Sequence, residues 1–319
     1  MDKLNVEVVA ENCNRILAEL TTAIVGKEPV LRKFLVAILA NSHILVEDYP
    51  GLAKTVIAKS LAATLGCTFT RVQFTPDLLP ADITGTYIYN QKSGEFELRK
   101  GPIFTNVLLA DEINRSPPKT QSALLEAMQE RQTTLDGRTH RLENPFIVIA
   151  TQNPIEFEGV YVLPEAQLDR FIMRLRIGYP DKNSEVEILR RRVARRTDDF
   201  AINTVVDPTA LIEMQESVER VHADDGVLGY ITDIVRETRT HGQVEIGASP
   251  RGSIALLKLA RANAALSGRD YILPDDVKTV CSEALSHRII PKAASWVRGF
   301  DPLSIIEEIL RKVPVPRVD

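Results

Sequence analysis

The chain has 319 residues, 44% of them hydrophobic, and its 39 basic and 43 acidic side chains leave a net charge of −4. That is enough apolar material for a sizeable core and for two domains, and the near-neutral balance supplies no global basic field for nucleic acid or a membrane surface. The longest apolar runs, such as 34–40, fall far short of the roughly 18–20 residues that span a bilayer, and the N-terminus lacks the basic start and apolar block of a secretion signal, so no membrane insertion and a cytoplasmic location are expected.

In chain order, Val6, Val9, Cys13, Ile16 and Leu20 recur at three- and four-residue steps, which predicts an amphipathic helix. A second helix is expected from Pro29 to about Asn41. The pattern then reads strand (43–47), loop, helix (54–65) and strand (68–74). Residues 86–89 and 95–98, separated by NQKSG, predict a β-hairpin inserted within 76–105. NVLLADE at 106–112 is a buried strand ending in two acids, and 121–130 is a helix. Residues 133–135 and 139–142 form a second hairpin around Asp136-Gly137. FIVIAT at 146–151 and the run 172–177 are the remaining strands.

Near-continuous apolar strands alternating with helices argue for a parallel α/β sheet covered on both faces. After Pro180 the pattern is helical, over 182–196, 207–220, 226–240, 250–265 and 274–288. An α/β core over 1–190 and an all-α domain over 191–319 are therefore expected. RRRVARR at 190–196 sits on a helix whose Val186, Leu189 and Val193 give it an apolar face, so the arginines are read as its solvated side. Cys13, Cys67 and Cys281 are scattered and have no metal-ligand spacing, which reads as three reduced thiols.

The chemistry concentrates at three strand ends. LVEDYPGLAKT at 45–55 is nearly the phosphate-loop pattern G-x-x-x-x-G-K-[ST], with Ala53 and Asp48 where the glycines belong. Such a loop offers converging N–H groups and a helix N-terminus to phosphate, a lysine (Lys54) for the β/γ-phosphates and a hydroxyl (Thr55) for Mg²⁺. By itself it reads equally as an ordinary strand-to-helix turn. Asp111 and Glu112 end the next strand, where parallel sheets place their ligand crevice; Asp111 is the Mg²⁺ candidate and Glu112 the residue that activates water. FIVIATQNP ends on Asn153, whose amide is placed for the attacking water or the γ-phosphate. From the residues alone, Arg170 and Arg251 read as surface or capping arginines.

Taken in order, PGLAKT, LLADEINR, ATQNP, LPEAQLDRF at 163–171 and GASPRG at 247–252 resemble the AAA+ P-loop ATPases, and within them the MoxR group, over about 10–310. The resemblance implies ATP and Mg²⁺ as cofactors, with Asp48, Tyr49, Pro50, Gly51, Leu52, Ala53, Lys54, Thr55 and Val56 in the loop and Val25 and Gly26 just before the site. It assigns Thr55 and Asp111 to the metal. Asn153 takes the sensor-1 position, Arg170 that of an arginine finger reaching a neighbouring subunit, and Arg251 that of a sensor-2 arginine on a helical lid. The insert near 86–98 matches one that sets this group beside the magnesium chelatases. The implied activity is Mg²⁺-dependent ATP hydrolysis by a ring, usually hexameric, that remodels or activates a protein client, with a von Willebrand factor A domain protein as a separate partner.

Ala53 is ordinary in that group; Asp48 is the departure. A carboxylate about 6 Å from phosphate charge at an effective dielectric near 20 costs roughly 3 kcal/mol per unit of opposing charge. Against this, the loop's first position lies at the strand end, where its side chain can turn away. The expectation is a working site, with two alternatives: a scaffold whose nucleotide binding Asp48 impairs, and a DNA-remodelling motor, against which the near-neutral charge argues.

Overall fold

The near-continuous apolar runs of the central strands decide the architecture. In a computed structural model of the chain, which describes residues 5–154, 160–293 and 301–316, five strands form one parallel sheet. The first residues of the stretch read for a secretion signal lie outside that set. In chain order the strands are β1 (Ile44–Glu47), β2 (Phe69–Gln73), the hairpin β3 (Gly85–Asn90) and β4 (Glu95–Lys100), β5 (Val107–Asp111), the hairpin β6 (Gln132–Leu135) and β7 (Arg138–Arg141), β8 (Ile147–Gln152) and β9 (Met173–Leu175). The sheet order is β2-β5-β8-β1-β9, with every pairing parallel.

Both faces of this sheet are covered, which is why its strands read as unbroken apolar runs. Ile44, Val46, Val107, Leu109, Ile147 and Ile149 face one core, and Leu45, Leu108, Ala110, Val148 and Ala150 face the other. The first core continues through α1 (Val6–Ala23), α2 (Glu28–Leu39) and α3 (Lys54–Thr64) into the helical half of the chain, α8 (Pro208–Val218), α9 (Asp225–Thr240), α10 (Pro250–Leu266) and α11 (Pro274–Leu285). The second is closed by α5 (Pro118–Glu130), through Leu124, Leu125 and Met128. Asp136 (φ 47°) and Gly137 (φ 77°) both take the left-handed conformation that a tight hairpin requires.

Short elements escaped the sequence reading: the helices α4 (Pro80–Thr84) and α6 (Glu165–Leu168), and the antiparallel pair β10 (Val244–Ile246) with β11 (Ile290–Pro291). The helix Pro302–Lys312 buries Ile305, Ile306 and Ile309. Arg190 and Arg192 are solvent-exposed as expected, but the apolar stripe of their helix is not buried. In α7 (Lys182–Arg195) no residue is buried, and the apolar face is the exposed one, with Leu189 62% and Val193 76% accessible. An arginine anchors this helix instead. Arg191 donates to the carbonyls of Thr21 (2.7 Å) and Thr22 (2.9 Å), orphan acceptors in the last turn of α1 that favour a cation. No described helix is long and apolar enough to cross a membrane.

Candidate active site

The turn between β1 and α3 is built to receive an anion. Gly51 (φ 82°) and Ala53 (φ 55°) take left-handed conformations, and no side chain caps the N-terminus of α3. The first N–H groups of that helix therefore lack side-chain acceptors, and the helix dipole adds positive potential at the same point. Lys54 folds back so that its ammonium donates to the carbonyl of Asp48. Thr55 stands half-buried on the first turn. Tyr49 and Pro50 are exposed, and Leu52 is buried.

Asp48 is 6% exposed, and its carboxylate turns to the exit of β9. Oδ1 accepts from Tyr49 N at 2.8 Å, and Oδ2 accepts from Ile177 N at 2.7 Å and Gly178 N at 2.6 Å. Three amide dipoles thus surround the charge that the sequence set against phosphate. The scaffold alternative rested on that charge alone.

The acids follow from the strand register. Asp111 ends β5 and Gln73 is its partner on β2. Glu112 stands next, at φ 57° and ψ 49°, a left-handed conformation that costs a non-glycine residue about 1–3 kcal/mol and is held by its surroundings. Thr151 ties the two together: its hydroxyl donates to Asp111 Oδ1 at 2.6 Å and accepts from Glu112 N at 2.8 Å. Arg71 holds Asp111 Oδ2, Gln73 donates to Glu112 Oε2 at 2.6 Å, and Arg115 donates to the same oxygen at 3.0 Å. Asn153 is buried immediately after β8, and Asp48 N reaches Gln152 O at 3.2 Å, so the ends of β1 and β8 lie side by side. Lys54, Thr55, Asp111, Glu112 and Asn153 therefore gather at the carboxyl ends of adjacent strands, where the strand order switches direction.

Beside the loop lies a cavity of about 180 Å³, walled by Ile24, Val25, Leu52, Ile177, Pro180 and Phe200 among others. An apolar slot next to an anion-binding turn matches the two halves of a nucleotide, base and phosphates. Gly26 is required here: its φ is 70°, and a Cβ would meet Ser184 Oγ of α7 at 2.1 Å. The oxygen donors at Thr55 and Asp111 suit Mg²⁺, which is held through one or two protein oxygens together with substrate phosphates.

Arg170 and Arg251 stand elsewhere. Ile44 pairs with Met173, and Ile172 N donates to His43 O at 2.9 Å, so Arg170 lies at the amino ends of the strands. The length of β1, about 3.3 Å per residue, separates it from the Lys54 loop. Arg251, in the first turn of α10, lies 3.7 Å from Asp169, and Arg288 binds the same carboxylate at 2.7 Å. Arg170, Arg251 and Lys258 share the lining of one cavity of about 280 Å³. Arg170 Nε is buried there without a hydrogen-bond partner.

Several residues of this arrangement carry no motif of their own in the sequence. Thr151 lies within ATQNP with no role legible from its position there, and Arg71 and Gln73 reveal themselves only through alternation along β2, which puts both on the exposed face beside the acids. Ile177, Gly178 and Pro180 enter the cavity from the segment between β9 and α7, and Phe200 from the segment after α7.

Known proteins have the same plan. The profile of the ATPase family associated with various cellular activities (AAA) matches residues 43–173, and that of the AAA lid domain matches 236–308. The uncharacterized protein YeaC of Bacillus subtilis is 47% identical over 96% of this chain and 93% of its own length. The chaperone MoxR1 of Mycobacterium tuberculosis is 41% identical over 96% of this chain and 82% of its own. A crystal structure from Cytophaga hutchinsonii superposes with a TM-score of 0.91 at 42% identity, covering 98% of this chain and 97% of that one. Matched by the AAA profile and the AAA lid profile, and 41% identical to a MoxR chaperone over nearly its whole length, the chain belongs to the MoxR family of AAA+ ATPases.

Proposed function

We propose that the protein hydrolyses ATP with Mg²⁺ at sites completed by a neighbouring copy in a ring, and that it couples turnover to remodelling or activating a protein client. The observation that carries this reading is the separation of Lys54, Thr55, Asp111, Glu112 and Asn153 from Arg170 and Arg251, at opposite ends of the strands. One copy supplies the phosphate loop and the acids. The next supplies the arginines, Arg170 and Arg251, which line one cavity. At the loop, Lys54 and the α3 amides hold the β- and γ-phosphates, Glu112 polarises water and Asn153 orients it. Mg²⁺, when bound between Thr55, Asp111 and the phosphates, neutralises charge that develops there. The arriving arginines stabilise the transferring phosphoryl group.

In this reading residues 1–190 are the nucleotide-binding core and 191–319 the lid. The similarity to a MoxR chaperone supports a protein client. A hexameric ring, a separate von Willebrand factor A domain partner and a cytoplasmic location complete the proposal. Its test is ATPase activity across protein concentrations with Lys54→Ala as control. Activity per subunit rises as copies assemble; constant activity down to dilutions where sedimentation finds monomers overturns the shared site.

A further inference from the structure

We infer that Asp48 is a positioning residue: it fastens the phosphate loop to Ile177–Tyr179, the joint between the last strand and α7, and thereby fixes the wall of the apolar cavity against the loop. The inference rests on the nucleotide reading above. Four observations carry it. Asp48 takes the N–H groups of Ile177 and Gly178 with a single oxygen, Oδ2. Lys27 takes the other side of the same segment, its ammonium donating to Ile177 O and Tyr179 O, each at 2.9 Å. The rings of Tyr49 and Tyr179 stack at 6.1 Å between centroids and 28° between planes, so the loop and the joint touch a second time. Ile177 and Gly178 themselves line the cavity beside Gly51 and Leu52.

The joint is thus gripped by an anion on its donors and a cation on its acceptors, and the anion is the first residue of the phosphate loop. Charge-assisted bonds of this kind are about twice as strong as neutral ones. Glycine at Asp48's place leaves both joint amides without their acceptor. The chemistry accounts for what the loop pattern left open: the carboxylate sits where it can reach two amides that no glycine could. Asparagine keeps the shape but loses the charge, and its N–H₂ must face either the Tyr49 amide or the joint amides, donor against donor, so the grip on the joint is weakened.

The test uses the full-length protein with Asp48→Asn, and Lys27→Met as the second grip on the joint. Binding of ADP and ATP, each with Mg²⁺, is measured by calorimetry. Amide hydrogen exchange of the peptide spanning 176–180 is measured without nucleotide. Asp48→Asn weakens both nucleotides alike by about tenfold, the scale of one lost charge-assisted bond, and speeds exchange at 177–178. Lys27→Met does the same more weakly, and the double variant loses less than the sum of the two. If Asp48→Asn binds as tightly as wild type or tighter, or if exchange at 177–178 is unchanged, the positioning role is overturned; additive losses overturn the shared grip. A wild type that binds neither nucleotide defeats the proposed function instead, and the exchange arm then decides Asp48 alone. Should Asp48→Asn not fold, unchanged exchange and affinity in Lys27→Met overturn the inference.

Discussion

Arg71 reaches across from β2 to hold Asp111, with Nη2 at 2.7 Å and Nε at 3.1 Å from the same oxygen, Oδ2. The same guanidinium donates to Gln73 at 2.8 Å, and Gln73 in turn donates to Glu112. The acid assigned to the metal and the acid assigned to water are therefore linked by two side chains on the exposed face of an edge strand. A cation arriving at Asp111 competes with Arg71 for its carboxylate.

Arg71→Ala removes that competitor. Arg71 is 47% exposed, so solvent screens the pair and its worth is modest. The Mg²⁺ concentration for half-maximal ATP binding should fall about threefold, a shift matching the usual range for exposed ion pairs. A Mg²⁺ titration followed by nucleotide fluorescence checks this; an unchanged or raised midpoint counts against competition at Asp111.

Glu112→Gln keeps the side chain's shape and removes its basicity. The variant should bind ATP and turn it over at least about tenfold more slowly. Single-turnover hydrolysis separates the two steps, and wild-type chemistry in this variant would remove Glu112 from the mechanism.

The common cavity of Arg170 and Arg251 gives a complementation rule. Mixing Arg170→Ala with Lys54→Ala subunits should restore part of the turnover, because some interfaces then join an intact loop to intact arginines. Arg251→Ala mixed with Lys54→Ala should do the same. Arg170→Ala mixed with Arg251→Ala should restore nothing, since no interface receives both arginines. Recovery in that last mixture would mean that Arg251 serves its own subunit's nucleotide.

Two buried histidines predict acid sensitivity. His43 accepts from Val148 N at Nδ1 and donates to Met128 O from Nε2, both at 3.0 Å, as a neutral ring. Burial first, and then the Arg131 guanidinium, lower its pKa from 6.5 to about 3. Burial, and then Arg288 beside it, also lower His287 well below its ordinary value. A depressed histidine contributes stability that is present above the unfolded pKa and is lost as pH falls towards the folded one. Urea midpoints should hold from pH 8 to 7 and decline below about 6.5, with a slope of up to about 1.4 kcal/mol per pH unit for each ring. A midpoint flat from pH 7 to 5 would show that neither ring is kept neutral by the fold.

Much of this was written locally. Alternation in VLLAD and IVIAT fixed which residues face each core, because neighbouring side chains on a strand must point to opposite faces, and apolar character at every position left no solvent face. Asp136-Gly137 fixed its hairpin because both positions need left-handed backbone. The order of PGLAKT, LLADE and ATQNP put three chemical ends on one edge, since parallel strands all finish on the same side.

Other features needed the chain to close on itself. The stripe of Val186, Leu189 and Val193 promised a buried face for α7, yet a periodic pattern says only that a helix has two sides; the carbonyls of Thr21 and Thr22, some 170 residues earlier, turned Arg191 inward. Asp48 looked like an opposing charge because its three amide partners include two about 130 positions downstream. Arg170 and Arg251 became a pair only when α10 packed beside the start of β9. Sequence by itself determined the local periodicities, the turn chemistry and the side of the sheet on which strands end. The tertiary structure decided which charges meet, because an electrostatic contact depends on separation in space and on burial, and neither is a property of separation along the chain.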